Sequence, residues 1–131
     1  AIKAAKGIKG WHLPSDKEWR ALLNYFGSAN EAFNQLKGIE DIPLAETDNS
    51  YGFNALPVGI MLLPPSSFGF FGERAYFMSR TRHGSKNICK LFLDFEKRTA
   101  ESTFGPHYYG LSVRLIKNRR FNHFFGNLYH P

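Results

Sequence analysis

The run from Gly10 to Gly27, GWHLPSDKEWRALLNYFG, constrains the fold more than any other part of the chain. Ser15 and Glu18 stand at the spacing of a capping box. The serine oxygen accepts from the backbone N–H of Glu18 while the glutamate reaches back to the N–H of Ser15. Pro14 sits just ahead, where a missing donor leaves nothing unsatisfied. Trp19, Leu22, Leu23 and Phe26 follow at i, i+3, i+4 and i+7, so one side of the predicted helix is apolar and Lys17, Arg20 and Asn24 face water. Gly27 supplies the left-handed residue that ends it. A helix of this length is marginal alone, so its stripe demands a partner surface from the remaining chain.

The next segment repeats the design on a smaller scale. Ser28 and Glu31 again have capping-box spacing, and Ala29, Ala32, Phe33 and Leu36 form a shorter stripe stopped by Lys37 and Gly38. From Ile39 to Ser50 the period is lost, and Pro43, Asp48 and Asn49 predict a loop. Thereafter the pattern becomes that of short strands: Tyr51 to Ile60, Ala75 to Thr81, Ile88 to Phe95, Ala100 to Phe104 and Tyr109 to Ile116. Met61 to Phe71, interrupted by Pro64, Pro65 and Gly69, reads as a long surface loop of the kind that often carries function. Helices first and strands afterwards imply an α+β domain with two N-terminal helices packed on a twisted antiparallel sheet.

A chain of 131 residues with 43% hydrophobic and 16% aromatic residues has enough apolar surface for one core. No apolar run approaches the length of a membrane span, so no membrane insertion is expected, and AIKAAKGIK lacks the apolar centre of a signal peptide. Charge is unevenly placed. Six Lys and Arg stand against seven Asp and Glu up to Ser66, net −1, and eleven against four from Ser67 onward, net +7. The second half therefore favours anionic partners such as nucleic acid, acidic polysaccharide or lipid headgroups.

Motifs that would announce an enzyme are missing. There is no nucleophile elbow, phosphate loop, HExxH helix or EF-hand loop, and no acid, base and nucleophile set, so no catalytic residue and no cofactor is expected. Cys89 is the only cysteine. It cannot form an internal disulfide. None of His12, His83, His107, His123 and His130 is paired at i, i+4 on a predicted helix, so no metal site is expected. His12 reads as a turn residue donating to backbone. The acidic group Glu40, Asp41, Glu46 and Asp48 has the oxygen ligands that calcium wants but no recognisable loop spacing, and a solvated acidic loop is the preferred reading.

The polar group Arg80, Arg82, His83 and Lys86 follows strand-like residues at a predicted turn. Arginine grips carboxylate or sulfate bidentately, and Tyr108 or Tyr109 offers a ring on which a sugar stacks. An ordinary solvated hairpin is the competing reading. The tail Asn118 to Pro131 is basic and aromatic without a period. It reads as a C-terminal extension, with a nucleic-acid arm through Arg119, Arg120, Phe121, Phe124 and Tyr129 as the functional alternative.

Several of these stretches resemble, in order, the Fibrobacter succinogenes major paralogous domain family of secreted and surface proteins of Bacteroidetes. GWHLPSDKEW (Gly10 to Trp19) is similar to that family's opening motif and YGFNALPVG (Tyr51 to Gly59) to its second. AYFMSRT (Ala75 to Thr81) and GLSVRLI (Gly110 to Ile116) are similar to the segment usually written Trp-Ser-Ser-Thr and to the closing Val-Arg motif. The resemblance implies a C-type-lectin-like fold over residues 1–117, with long irregular loops and the termini brought together, followed by the extension at 118–131. Gly7 and Leu115 stand roughly where the family commonly has two cysteines. The joint loss implies a missing disulfide, with Leu115 closing the domain by packing alone. Formylglycine-generating enzymes share the related fold but need reactive cysteines, which Cys89 in a predicted strand does not supply.

The resulting expectation is a non-enzymatic recognition module, extracellular or on the cell surface, that binds glycan or a protein ligand. Its predicted site is Arg80, Arg82, His83, Lys86, His107, Tyr108 and Tyr109, together with the Ser66 to Phe71 loop. The alternatives are a structural domain of a larger surface protein, and nucleic-acid or polyanion binding through the basic half. The predicted core is Trp19, Leu22, Phe26, Phe33, Phe53, Leu56, Phe77, Leu91, Leu93, Val113 and Leu115. Arg114 is expected to point out of the sheet or pair with an acid.

Overall fold

The structure, a computed structural model, describes residues 8–38, 52–62, 67–106 and 110–119. The first helix, α1 (Asp16–Phe26), begins as the sequence dictates: Ser15 Oγ accepts from Glu18 N at 3.1 Å, and Glu18 Oε1 accepts from Ser15 N at 3.0 Å. Gly27 ends it at φ +88°, a region closed to most side chains. The second helix, α2 (Ala29–Leu36), has half of the expected box: Ser28 Oγ caps Glu31 N, but the Glu31 carboxylate turns to Gln35 Nε2 at 3.0 Å. Ala32, Phe33 and Leu36 are buried along its stripe.

The strands are β1 (Trp11–His12), β2 (Ile60–Leu62), β3 (Ser67–Gly69), β4 (Arg74–His83), β5 (Asn87–Asp94), β6 (Thr99–Pro106) and β7 (Ile116–Lys117). They form an antiparallel three-stranded sheet ordered β4-β5-β6 and two antiparallel pairs, β1-β7 and β2-β3. The domain is thus α+β with both helices on one face of the main sheet. That face presents Ala75, Phe77, Leu91, Leu93 and Ala100 to Trp19, Phe33 and Leu36, and these residues make the core. Period-two alternation in β4 and β5 sends their even-numbered neighbours to the opposite face, where Tyr76 and Phe92 stack at 5.0 Å. Lys90, also buried there, lies 4.6 Å over the Tyr76 ring, and burial followed by the nearby Arg74 charge lowers its pKa.

Three strand expectations are corrected. Residues 52–59 form no strand; they touch their neighbours through isolated bridges at Ala55 and Gly59, and Asn54 adopts φ +53°. Part of the supposed long loop is the β2-β3 pair. The closing segment is bridged only at Gly110 and Ser112 before β7 begins. Without a continuous ladder the inside-outside alternation lapses there, and Val113, expected in the core, is 45% exposed. Leu22, Phe26, Phe53, Leu56 and Leu115 are half-buried, whereas Trp19, Phe33, Phe77, Leu91 and Leu93 are buried. The acidic loop residues Glu40, Asp41, Glu46 and Asp48 lie outside the described residues, as does the tail from Arg120.

The closure of the domain is also corrected. Trp11 pairs with Lys117 and His12 with Ile116 across β1-β7, and Asn118 N donates to Gly10 O at 2.7 Å. Backbone pairing, not Leu115 packing alone, joins the two ends.

Candidate functional site

The exposed end of the β4-β5 hairpin is built by an irregularity in β4. The register shifts between Met78 and Arg82, so Ser79, Arg80 and Thr81 bulge from the ladder. Ser79, fully buried, accepts from Thr81 N at 2.9 Å. Arg80 N donates to Pro14 O at 2.8 Å, and Thr81 Oγ1 accepts from Asp16 N at 2.8 Å. The bulge thereby holds the start of α1 through the Arg80 N–H it takes out of the sheet and the Thr81 hydroxyl. Arg80 within the bulge, and Arg82, His83 and Lys86 beyond it, are exposed.

None of Arg80, Arg82 and Lys86 has an ion-pair partner among the described residues. His83 stacks on Phe104 of β6 with ring centroids 3.7 Å apart and planes within 14°, and Phe104 is 50% exposed. Sequence reasoning missed Phe104. The signal lay in strand register, since Cys89 pairs with Phe104 while Asn87 pairs with both His83 and Pro106, which puts the two rings on diagonal neighbours of one face. His107, Tyr108 and Tyr109 lie outside the described residues. The Phe70–Phe71 turn does not join this end. Phe70 covers the Arg74 guanidinium at 3.9 Å, so it sits at the opposite end of a ten-residue strand, about 30 Å away at ~3.3 Å per residue.

At the domain closure His12 is no turn residue donating to backbone. From β1 its Nε2 meets Glu18 Oε2 at 2.8 Å and its Nδ1 meets Asn118 Oδ1 at 2.6 Å, an arrangement that a cationic imidazole satisfies with both N–H groups. The bonds to Glu18 and Asn118 raise the His12 pKa, opposed by burial and by the nearby Arg80 charge. Burial would raise the Glu18 pKa, but the bonds from Ser15 and His12 outweigh it and the carboxylate is held low.

Beside this closure, between α1 and the closing segment, lies a cleft of about 630 Å³. Trp19 and Leu22 line one wall and Phe53, Leu115 and Ile116 the other, with Glu18 and Arg114 at its polar side. Arg114, expected to point out of the sheet or pair with an acid, has no acidic partner among the described residues and packs against aromatic rings instead. It donates from Nη1 to Phe53 O at 2.7 Å and lies over the rings of Phe53 at 4.7 Å and Phe77 at 5.4 Å.

Two further groups hold structure. Asp16, buried at the head of α1, accepts from Ser102 Oγ and pairs with Arg20 Nε at 2.9 Å. Cys89 is buried beside it, and burial pushes the thiol pKa up, away from the reactive thiolate. Among the described residues no group of three or more His, Cys, Asp and Glu is arranged to hold a metal. Among them, too, no helix is long and apolar enough to cross a membrane.

Compared with known families, residues 2–117 match the model of the Fibrobacter succinogenes major domain. No curated protein and no solved structure matches the chain significantly.

Proposed function

Starting from the fact that the chain belongs to the Fibrobacter succinogenes major domain family, we propose that it is a non-enzymatic, extracellular or cell-surface recognition module of C-type-lectin-like fold that binds acidic glycans. The lectin-like reading is supported by two helices laid on an antiparallel sheet and by the β1-β7 pair that joins the ends of the domain. Secretion follows the family resemblance alone.

The observation that carries the ligand class is the exposed His83–Phe104 stack at a hairpin end that also carries Arg82 and Lys86, with Arg80 exposed in the bulge behind it. A sugar ring offers a face of C–H groups to an exposed aromatic plane, and the cationic side chains of the same region suit a carboxylate or sulfate on a glycan that reaches past that plane. Arginine provides two parallel donors, so it fixes the anion's orientation as well as attracting it.

A mixed array of neutral glycans, uronate or sulfated glycans and single-stranded nucleic acid, read at low and high salt, tests this. Selective binding of acidic sugars that survives high salt, and that is lost in Phe104→Ala and in Arg80→Ala with Arg82→Ala, is the expected result. Binding of every polyanion with a steep fall in salt would reduce the patch to a general field. No binding at all would leave a structural domain of a larger surface protein as the better reading.

A further inference from the structure

We propose that the cleft between α1 and the closing segment is a second binding site, for a small organic monoanion with an apolar body and a single carboxylate or sulfonate. Its volume of about 630 Å³ falls within the range of small-molecule sites. Trp19, Leu22, Phe53, Leu115 and Ile116 give it an apolar wall with two aromatic rings. Such a wall takes an apolar body, while the hydroxyl groups of a sugar would find few polar partners along it.

Arg114 supplies the selectivity for charge. Its Nη1 is committed to Phe53 O at 2.7 Å, and the rings of Phe53 and Phe77 lie against its plane, so the guanidinium is already oriented. Its other N–H groups have no acceptor among the described residues. Glu18, on the same cleft, makes no ion pair with Arg114: its Oε1 accepts from Ser15 N at 3.0 Å and its Oε2 is bound by His12 at 2.8 Å. The cleft therefore combines an apolar wall with a pre-oriented cation that has no ion-pair partner among the described residues, which stabilises an anion most when its remaining surface is apolar.

The probe is 1-anilinonaphthalene-8-sulfonate, titrated into the full chain and followed by its emission, with 2-naphthoate and neutral 2-naphthylmethanol as competitors. One saturable site per chain is expected, displaced by 2-naphthoate at least about tenfold more effectively than by the alcohol, since a charge-assisted pair is what separates them. Arg114→Gln should remove that preference. Because Arg114 also bonds Phe53, Ala21→Phe provides a second variant: Ala21 lines the cleft and is exposed, so the larger ring fills the site while the Arg114 contacts remain. It should abolish probe binding with near-ultraviolet circular dichroism unchanged. Equal competition by the neutral alcohol, or undiminished binding to Ala21→Phe, would overturn the proposal. Acidic-glycan binding at the hairpin is read separately, through the Arg80 and Arg82 variants.

Discussion

Trp19 donates its indole N–H to the main-chain oxygen of Met78 at 3.2 Å, tying the first turn of α1 to the strand that ends in the exposed hairpin. The same ring is 3% exposed and meets Phe53 edge-on at 6.1 Å and Phe77 at 6.2 Å. Trp19→Ala should destabilise the domain by roughly 3–5 kcal/mol, as large aromatic truncations in cores do. Trp19→Phe keeps much of the burial and loses the hydrogen bond, so a loss of about 1–2 kcal/mol is expected. Urea unfolding at matched m-values would show the ranking, and equal losses would mean that the bond to Met78 matters more than the packing.

Asp16 holds α1 to β6 through Ser102 and reaches solvent through Arg20. The two partners differ in burial: Arg20 has a side chain 61% exposed, and that of Asp16 is 13% exposed. Ser102→Ala should cost about 1–3 kcal/mol because it strips a donor from a buried carboxylate. Arg20→Ala, which removes a solvated helix-surface pair, should cost under ~1 kcal/mol. Thermal melts of the two variants in parallel would reveal a reversed order, which would place the anchoring in the ion pair instead.

The His12–Glu18 pair makes the closure pH-dependent. The His12 pKa is raised above its ordinary 6.5 by its bonds to Glu18 and Asn118. Its contribution is therefore complete below 6.5 and disappears as pH rises through the raised value. Glu18 is lowered from 4.5, so its contribution is complete above that value and is lost as pH falls through the lowered one. The pair is strongest between 4.5 and 6.5. The stability difference between wild type and His12→Gln should peak near about pH 5.5 and shrink by about pH 8.5, staying within ~1 kcal/mol because the pair is partly solvated. A difference flat across that range would deny His12 this role.

Gly59 and Gly84 both have φ +75°, yet they should respond very differently to substitution. A Cβ on Gly59 would stand 2.1 Å from Gly69 O and 2.9 Å from Phe71 N, both backbone atoms of the adjoining segment; one on Gly84 meets nothing within 4 Å. Gly84→Ala should therefore cost about 1 kcal/mol, the backbone penalty alone. Gly59→Ala adds a clash that no side chain can relieve and should cost about 3 kcal/mol or more. Melting temperatures within a degree or two of each other would show that the β2-β3 pair yields easily.

The parts of the fold legible in the sequence are those decided by residues a few positions apart. Ser15, Glu18 and Gly27 fix the ends of α1, and the spacing from Trp19 to Phe26 fixes its inward face. Alternation around Leu91 and Leu93 likewise places β5. The candidate site was legible only in part. Arg82, His83 and Lys86 lie toward the exposed hairpin end while Arg80 sits in the bulge against α1; Phe104 reaches that end through the β5-β6 register, and the Phe70–Phe71 turn belongs to the other end of β4. Val113 and Arg114 were misplaced because GLSVRLI alternates like a strand yet has no continuous neighbour to enforce the alternation.

By itself, then, the sequence determined the α+β class, the two capped helices, the central strands and the family, because caps, turns and periodicity act over a few bonds. Tertiary structure alone decided that β1 would pair with β7, that His12 would bind Asn118 across 106 residues, and that Arg114 would lie against Phe53 beside an open cleft. Those outcomes depend on which distant segments share one core. No local pattern encodes that choice, because it is made by the packing of the whole chain.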